Sequence, residues 1–383
     1  MIRRYLMLFV PAVLSCTGVA GDSQRAPRLL NEDLRIGSVD GPDALTTPGV
    51  VAVGPDGDLY VVQSSDQQIR VYGQDGELLR SLGGRGGGPG EFERIATFGF
   101  LGDTLYVSDA RLRRMTFMSL SGSVLEMVNV AGSMEVPFFP SVPQTLFADG
   151  TGTMSPSFPS DMVSSGAITR FPLYRVTRNG EVLDTVAWQS TENMQFAVAY
   201  GTGQLFSSQP FADNPFVVAD GPSGRVAVIE RRAAAEAMNA TFRVTFVSLQ
   251  GDTLDTHAYP YEPVPMPDSL VEATVEARSR VLERVIPARG EAEAAARKAL
   301  YLPRFFVPVT GAMFDSEGRL WLLREDDPGR PRIVDVIDSS GRLVDRMALP
   351  IGAQIKWAGR DVLWTLERDE LDVPYLVRYR IAG

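Results

Sequence analysis

Two stretches near the start of the chain repeat one pattern: GVVAVGPDGDLYVVQSSDQQIRVYGQDGELLRSLG at 49–83 and IATFGFLGDTLYVSDARLRRMTFMSLSGSVLEMVNV at 95–130. Each contains an apolar run, a glycine turn, the tripeptide Leu-Tyr-Val, a polar break and two further alternating runs around a second glycine turn. Alternation at period two, with Asp-Gly or Ser-Gly turns, is typical of antiparallel hairpins. Each stretch therefore predicts a sheet of four short strands.

The same pattern continues along the rest of the chain at wider spacing. The first turn recurs at Gly57, Gly102, Gly150, Gly224, Gly318 and Gly359, and the second at Gly76, Gly122, Gly180, Gly251 and Gly341. The sixth unit stops one strand short, and a strand-like segment at 33–39 precedes the first complete unit. Because a closed ring protects the open edges of its sheets, the sequence predicts an all-β, six-bladed β-propeller in which the N-terminal strand pairs with residues 375–381.

The glycine-rich segment GRGGGPGEF at 84–92, with the preceding GDLYVV and QQIRVYGQDGELL, resembles the NHL-repeat family and, more broadly, the TolB-like six-bladed propellers. The resemblance implies a propeller fold and export from the cell. That group includes lyases, lactonases, binding scaffolds and exported proteins without known activity, so the resemblance does not select one function.

The same glycines do not predict a phosphate-binding loop. A G-x-G-x-x-G cradle needs a strand before it and a helix after it, whereas ERIATFGFLGDTLYV predicts a strand and a hairpin. No lysine follows the glycines, as a P-loop would require. We interpret 83–90 as the crossing from the outer strand of blade one to the inner strand of blade two.

The N-terminal residues predict a targeting segment. MIRRY is basic, and the ten apolar residues that follow are too few to span a bilayer, so 1–15 indicate a secretory signal peptide. Val13-Leu14-Ser15-Cys16 resembles the lipobox of bacterial lipoproteins, which implies cleavage before Cys16 and lipidation of its thiol. The alternative is an ordinary signal peptide beside a chance cysteine. We expect a tether at 16–32, a propeller at 33–383, and an exported protein anchored by lipid to a membrane on its periplasmic or cell-surface side.

Composition excludes several classes of function. The net charge of −10 opposes nucleic-acid binding, so no nucleic-acid partner is expected. Only Lys298 and Lys356 are lysines; the other basic residues are arginines, which suit carboxylates and phosphates but also reflect codon usage in a GC-rich genome. The single histidine, His257, is predicted near the end of an outer strand, away from the channel where Ser-His-Asp catalysis would need it. One histidine also excludes a histidine-rich zinc site.

The long insertions all fall on one predicted face of the ring. In a propeller, the first-to-second and third-to-fourth turns share one face, and here they are short. The second-to-third loops and the blade crossings share the other, here called the loop-rich face, and they include 156–172, 189–215, 230–241 and 259–308. Loops on a rigid scaffold commonly carry function, so ligands are expected on this face.

The longest crossing predicts a small helical insertion between blades four and five, at about 268–300. Ser269 and Glu272 have the spacing of a capping box, and Val271, Val275 and Leu282 form a helical apolar stripe. One interpretation is a lid over the channel mouth, with Tyr301 and Arg304 facing a ligand. The other is a hairpin packed on the rim to cover blade edges.

Candidate ligand-binding residues on the loop-rich face are Arg85, Arg94, Arg111, Arg113, Tyr301 and Arg304. Together the arginines could receive an anionic ligand or an acidic peptide, although scattered surface arginines paired with acidic neighbours account for them equally well. Lactonase-like propellers hold calcium with channel carboxylates and amides, and among the positions before the predicted inner strands only Asn214 suits calcium.

The sequence predicts no catalytic residue and no required cofactor. We expect a non-catalytic binding or scaffold propeller on a membrane-anchored lipoprotein, whose loop-rich face binds a protein or a small anionic ligand. The alternative is a lactonase-like hydrolase or lyase that uses a divalent cation, such as calcium, in the central channel. Whether the protein is an enzyme stays open at this point.

Overall fold

The computed structural model describes residues 26–41, 44–131, 141–324 and 330–381. The predicted signal peptide at 1–15, the predicted lipidation site Cys16 and the first part of the predicted tether lie outside the described residues. The described chain forms a six-bladed β-propeller with a small helical insertion late in the chain, as predicted.

The blades follow one another along the chain, and in each blade except blade three the first strand is innermost. The N-terminal strand is β1 (Leu30–Ile36); blade one contains β2 (Pro48–Val53), β3 (Leu59–Gln63), β4 (Gln68–Tyr72) and β5 (Leu78–Gly83); blade two contains β6 (Ile95–Leu101), β7 (Thr104–Asp109), β8 (Arg114–Ser119) and β9 (Val124–Asn129). Blade three contains β10 (Gly152–Met154), the short helix α1 (Ser160–Ser164), β11 (Arg170–Val176) and β12 (Val182–Ser190). A separate hairpin follows, made of β13 (Gln195–Tyr200) and β14 (Gly203–Ser208).

The second half of the chain completes the ring. Blade four contains β15 (Phe216–Asp220), β16 (Arg225–Glu230), β17 (Thr241–Val247) and β18 (Thr253–Pro260); the helices α2 (Asp268–Leu282) and α3 (Arg289–Ala299) come next; blade five contains β19 (Val309–Phe314), β20 (Leu320–Arg324), β21 (Arg332–Ile337) and β22 (Leu343–Leu349). Blade six contains β23 (Gln354–Ala358), β24 (Val362–Arg368) and β25 (Pro374–Ile381).

Blade three has an irregular innermost segment. Residues 144–147 occupy the inner position but pair with β10 through one isolated bridge, between Leu146 and Gly152. Three further backbone hydrogen bonds join this segment to the second strand, including one of 2.8 Å from the Phe147 N–H to the Thr151 carbonyl. The blade therefore keeps its place in the ring with a shortened ladder.

The core is a ring of hydrophobic seams, one between each pair of neighbouring blades. Tyr60 and Phe98 are buried between blades one and two, and Trp364 and Tyr72 between blades six and one. The remaining four seams lie between blades two and three, three and four, four and five, and five and six. Because each sheet buries both faces against its neighbours, all six blades are needed to bury the apolar residues of the second and third strands.

The N-terminal strand closes the ring. β1 pairs antiparallel with β25, from Leu30 opposite Ile381 to Ile36 opposite Leu376, which confirms the predicted closure. The strand begins three residues earlier than the predicted 33–39. Two salt bridges to one carboxylate join the chain ends: Arg378 Nε lies 2.8 Å and Arg380 Nε 2.7 Å from the oxygens of Asp33.

The glycine-rich segment forms the crossing from β5 to β6. At Gly83, φ is +81°, and a Cβ would lie 2.5 Å from the buried ring of Phe92, so only glycine fits. The Arg114 guanidinium donates to the carbonyls of Gly87 and Gly88 at 3.0 and 2.8 Å. The loop therefore presents carbonyl oxygens to a cation, whereas a phosphate-binding loop presents backbone N–H groups to an anion.

Two insertions on the loop-rich face combine into one substructure, here called the cap: the hairpin β13–β14 and the helices α2 and α3. Phe196 and Val198 of the hairpin pack against Val275, Leu282 and Ala296 of the helices, in a small core separate from the six seams. The sequence predicts the two helices but not the hairpin. Among the described residues, no helix has both the length and the apolar character needed to cross a membrane.

The predicted capping box of α2 is wrong. Pro267 is the N-cap residue, the helix begins one residue before Ser269, and no side chain caps its first turn. Glu272 instead pairs with Arg297 of α3, with 3.1 Å between Arg297 Nη1 and Glu272 Oε1. The Glu272 carboxylate, which its spacing from Ser269 predicted to cap the start of α2, therefore forms a contact between the two helices instead.

Candidate functional site

The innermost strands of four blades carry a register shift close to their first residue. A β-bulge leaves an extra residue outside the ladder and re-aims its side chain. The shifts lie between Pro48 and Val51 in β2, Ile95 and Thr97 in β6, Val309 and Gly311 in β19, and Ile355 and Trp357 in β23. The residues skipped by the pairing are Gly49 and Val50, Ala96, Thr310, and Lys356. Of these, only Lys356 carries an ionisable side chain, so the bulge of blade six brings a charged group to the channel side.

Three of these bulged strands line a cavity of about 450 Å³, here called the channel-mouth cavity. Its lining residues are Gly49, Val50, Val51, Val62, Ser64, Ile95, Ala96, Ile355 and Lys356. They belong mainly to the first residues of β2, β6 and β23, where the chain enters each blade from the loop-rich face. The cavity therefore lies at the loop-rich end of the central channel, beside blades six, one and two.

Small residues leave the room for this cavity. A Cβ on Gly49 would lie 2.9 Å from Ser64 Oγ and 3.5 Å from the Cβ of Val62. Ala96 is exposed and presents only a methyl group. The lining side chains are otherwise aliphatic, with Ser64 and Lys356 as the polar ones. The cavity is open toward solvent, and polar and apolar atoms, including backbone groups, contribute equally to its lining.

The electrostatics of the cavity depend on Lys356. Within the described parts of the chain, its ammonium has no hydrogen-bond or ion-pair partner. Burial lowers the pKa of Lys356, and the positive charge of Arg368 lowers it further. Both causes disfavour the charged form of Lys356. A bound anion would stabilise the ammonium, and without one the surroundings favour the neutral amine.

The four arginines predicted to bind ligand lie around the crossing from blade one to blade two and the adjacent loop of blade two, and the side chains of three of them have local partners. Arg111 pairs with Glu93 at 2.7 Å, and Arg85 donates to the Ser65 carbonyl at 2.8 Å. Arg113 donates to the Ala131 carbonyl at 2.9 Å, whereas its buried Nε has no partner in the described structure. Arg94 is exposed and immediately precedes Ile95 of the cavity wall. None of the four lines the channel-mouth cavity.

Tyr301 and Arg304 lie in the crossing between blades four and five, three blades away from those arginines, so the fold does not bring the predicted set together. Tyr301 Oη donates to Asp213 Oδ2 at 2.7 Å, and its backbone N–H donates to Gln209 Oε1 at 2.9 Å. Arg304 is exposed, and its guanidinium lies near the ring of its neighbour Phe305. Tyr301 thus holds the end of the cap against the start of blade four.

A buried polar network surrounds this contact. Asp213 also accepts a hydrogen bond from Asn193 Nδ2 at 3.0 Å. Arg231 stacks 3.8 Å from the Phe216 ring and donates to the carbonyls of Asn214 and Val309. Burial lowers the pKa of Arg231 to about 10, although the nearby Asp213 opposes the shift. These contacts join the crossing into blade four, blade four itself and the first strand of blade five.

Asn214, the candidate calcium ligand, is buried beside Asp213, and its carbonyl accepts the Arg231 bond at 2.8 Å. In the part of the chain that the structure describes, no three His, Cys, Asp or Glu side chains are grouped so as to hold a metal ion. The described lining of the channel-mouth cavity contains no carboxylate either.

Asp109 and His257 both have structural contacts. Asp109 is fully buried, and its carboxylate accepts hydrogen bonds from the backbone N–H groups of Glu93, Arg111 and Leu112 at 2.7–2.9 Å. It fixes the loops at the loop-rich end of blade two. His257 lies on the outermost strand of blade four and contacts Asp255 at 2.7 Å, away from the channel.

Lys356 is a cavity residue that is not among the ligand-binding residues predicted from the sequence. One signal was available, since it is one of two lysines in a chain whose other basic residues are arginines. The sequence also predicts Lys356 close to the start of the inner strand of blade six, and therefore near the channel. The bulge that re-aims its side chain, and the small residues opposite, come from blades one, two and six and are visible only in the folded ring.

Compared with protein-family models and with curated protein sequences, this chain matches none. Several solved structures align with most of this chain, at low sequence identity. A DUF4221-family protein from Bacteroides vulgatus is 11% identical, with a TM-score of 0.45, over 92% of this chain and 98% of that one. A gluconolactonase from Xanthomonas campestris is 12% identical, with a TM-score of 0.44, over 93% and 99%. Virginiamycin B lyase from Staphylococcus aureus is 10% identical, with a TM-score of 0.38, over 92% and 99%. At identities this low, none of these likenesses indicates what this protein binds or catalyses.

Proposed function

We propose that this protein is an exported, lipid-anchored propeller of the NHL-repeat and TolB-like kind. Its ligand is a small, largely apolar molecule that carries an anionic oxygen group. The ligand occupies the channel-mouth cavity on the loop-rich face, and binding involves no catalysis. One observation carries the proposal: a cavity of about 450 Å³ with mainly aliphatic side chains contains a single cationic side chain, Lys356, without an acidic partner in the described structure.

The chemistry of the cavity favours this ligand class. The partly exposed aliphatic side chains of the lining, Val50, Ile95 and Ile355, favour a hydrocarbon body. An ammonium in surroundings of low polarity is stabilised by a carboxylate, which forms a charge-assisted hydrogen bond with it. A cationic ligand would instead face the charges of Lys356 and Arg368, so binding should depend on the sign of the ligand charge.

The experiment uses probes of one length and opposite charge. Hexanoate and hexylamine are titrated against the full-length chain carrying Cys16→Ala, which cannot be acylated at that position, and binding is followed by calorimetry. We expect hexanoate to bind and hexylamine not to bind. Lys356→Met should weaken hexanoate binding by about ten- to a hundredfold, the value of one hydrogen bond to a charged group.

Lys298→Met is the matched control, because it removes the only other lysine from an exposed position on α3. It should leave hexanoate binding unchanged. Equal binding of the two probes, or equal effects of the two lysine substitutions, would reject the proposal. The alternative of a divalent cation in the channel has no carboxylate among the cavity residues to support it.

A further inference from the structure

We propose that Lys356 forms a reversible imine with an aldehyde or ketone bound in the channel-mouth cavity. The inference rests on the same site as the proposed function and adds a covalent step to it. Its geometric basis is the bulge in β23, which removes Lys356 from the ladder and brings it into the lining of a cavity whose other side chains are mainly aliphatic.

Lys356 can carry out a reaction that no arginine in the chain can. A guanidinium stays protonated in proteins and cannot attack a carbonyl, whereas a lysine amine becomes nucleophilic once it is neutral. Desolvation in an apolar pocket and a neighbouring cation are the two usual means of producing that neutral amine. Lys356 has both, in the cavity wall and in Arg368.

The step balances without a further reactant. The lone pair of neutral Nζ attacks the carbonyl carbon and forms a C–N bond, and the carbonyl π electrons move to oxygen. The resulting carbinolamine transfers both nitrogen hydrogens to that oxygen through solvent, and the oxygen leaves as water. The product is an imine between Nζ and the former carbonyl carbon, and hydrolysis reverses the step.

The surroundings of Lys356 favour a selective reaction. In the described structure no carboxylate holds Lys356 in its charged form, and the cavity wall offers the hydrocarbon body of a carbonyl compound a place to bind. Lys298, in contrast, is exposed near the end of α3 and lies outside the cavity lining. The chain thus contains an internal reference for the reactivity of an ordinary lysine.

The experiment traps the imine. The full-length Cys16→Ala chain is incubated with hexanal and sodium cyanoborohydride at neutral pH, and peptide mass spectrometry measures the initial rate of hexyl addition at each lysine. We expect addition at Lys356 to be at least roughly tenfold faster than at Lys298, because burial and the charge of Arg368 lower the pKa of Lys356 and so favour its neutral, nucleophilic amine. Equal rates at the two lysines would overturn the inference.

A cavity-filling variant distinguishes a bound carbonyl compound from simple reactivity of the amine. Ala96→Leu introduces a larger side chain into the cavity while leaving Lys356 in place, and its circular-dichroism melting curve reports whether it folds. We expect it to reduce the rate at Lys356 to that at Lys298. A folded Ala96→Leu protein that keeps the fast rate would refute a cavity-bound carbonyl.

The two proposals can fail separately. If hexanoate binds through Lys356 but hexanal does not label it selectively, the imine is rejected and the proposed function stands. If hexanal labels Lys356 selectively but hexanoate does not bind, the anionic ligand is rejected and the imine is supported. If neither probe depends on Lys356, both proposals are rejected.

Discussion

Tyr301 donates its phenolic hydrogen to Asp213, with 2.7 Å between Oη and Oδ2. The bond joins the crossing after α3 to the residues just before blade four, which are 88 positions apart in the chain. Burial first, and then the hydrogen bond to Asp213, raises the pKa of Tyr301 well above its ordinary value, so the hydroxyl remains a donor at any physiological pH.

Removing this bond should loosen the cap. Tyr301→Phe keeps the ring but leaves Asp213 with fewer donors, and we expect a loss of about 1–3 kcal/mol in the free energy of unfolding, as for a hydrogen bond to a charged group. Hydrogen exchange should accelerate in α2 and α3 more than in the blades. Tyr375→Phe is the control, since its hydroxyl contacts Asp369 at a longer 3.3 Å on the surface. Unchanged exchange in α2 and α3 would contradict the role given to Tyr301.

Ring closure should depend on the carboxylate of Asp33. Burial alone would raise its pKa, but hydrogen bonds and attraction from Arg378 and Arg380 outweigh that effect and hold the pKa below 3.8. A lowered carboxyl pKa stabilises the folded state above the unfolded value and loses that effect as pH falls through the folded value. Asp33→Asn should therefore cost about 1–2 kcal/mol at neutral pH and progressively less below pH 3.8.

Urea unfolding of Asp33→Asn at several pH values measures this dependence. Glu32→Gln is the matched control on the same strand, because Glu32 pairs with Arg35, also on β1, in an exposed position. It should change stability less at every pH. A constant difference between Asp33→Asn and the parent protein from neutral to acid pH would show that charge pairing is not what Asp33 contributes.

Asp220 and Asp315 are two buried aspartates on the face opposite the loop-rich face. Their substitution should change the free energy of unfolding in opposite directions. Asp220 Oδ2 has no hydrogen-bond partner among the described residues. Burial raises the pKa of that carboxyl and outweighs the hydrogen bonds from Ser223 and the charge of Arg225, which lower it. Asp315, in contrast, accepts hydrogen bonds from Trp321 Nε1 at 2.9 Å and Arg319 Nε at 2.6 Å. A carboxyl with a raised folded pKa destabilises the protein as pH rises from the unfolded value through the folded one.

We therefore expect Asp220→Asn to stabilise the protein by about 1 kcal/mol at neutral pH and to have little effect in acid, where Asp220 is already neutral. Asp315→Asn should destabilise it by about 1–3 kcal/mol at neutral pH, because it removes a charged acceptor from two donors. Calorimetric melting temperatures measure both. A loss of stability in both variants would show that Ser223 and Arg225 stabilise the Asp220 carboxylate by more than its burial costs.

The channel-mouth cavity should be sensitive to the size of residue 96. Ala96→Leu should weaken hexanoate binding by about tenfold or more, since the added side chain occupies space that the ligand needs. Ala273→Leu, at an exposed position on α2, is a matched control and should leave binding unchanged. Titration calorimetry measures both affinities. Full affinity in a folded Ala96→Leu protein would place the ligand elsewhere on the loop-rich face.

Anchoring should depend on Cys16. Cys16→Ala should move the protein from the detergent-rich to the aqueous phase in detergent-phase partitioning, because the acyl chains that provide membrane affinity are lost. The parent protein, expressed in a bacterium that processes lipoproteins, is the reference. Partitioning of both proteins into the aqueous phase would favour the ordinary signal peptide.

The sequence by itself determined the ring. Period-two alternation and recurring glycine turns predict the blades, because each hairpin is a local structure whose turn chemistry is written in adjacent residues. The spare N-terminal strand follows from the one-strand deficit of the last unit. The two helices of the insertion are predicted for the same local reason, whereas the start of α2 is not, since Glu272 is taken by Arg297 from another helix.

Only the tertiary structure decided which residues share a site. The hairpin β13–β14 is stabilised by packing against α2 and α3, which follow some sixty residues later, so its short sequence gave little local signal. The predicted arginines and Tyr301 lie on opposite sides of the ring, while Lys356 meets Gly49 and Ala96 in one cavity although some 260–310 residues separate it from them. Local patterns specify strands and turns, but ring closure and the bulges set which side chains face one another across the channel.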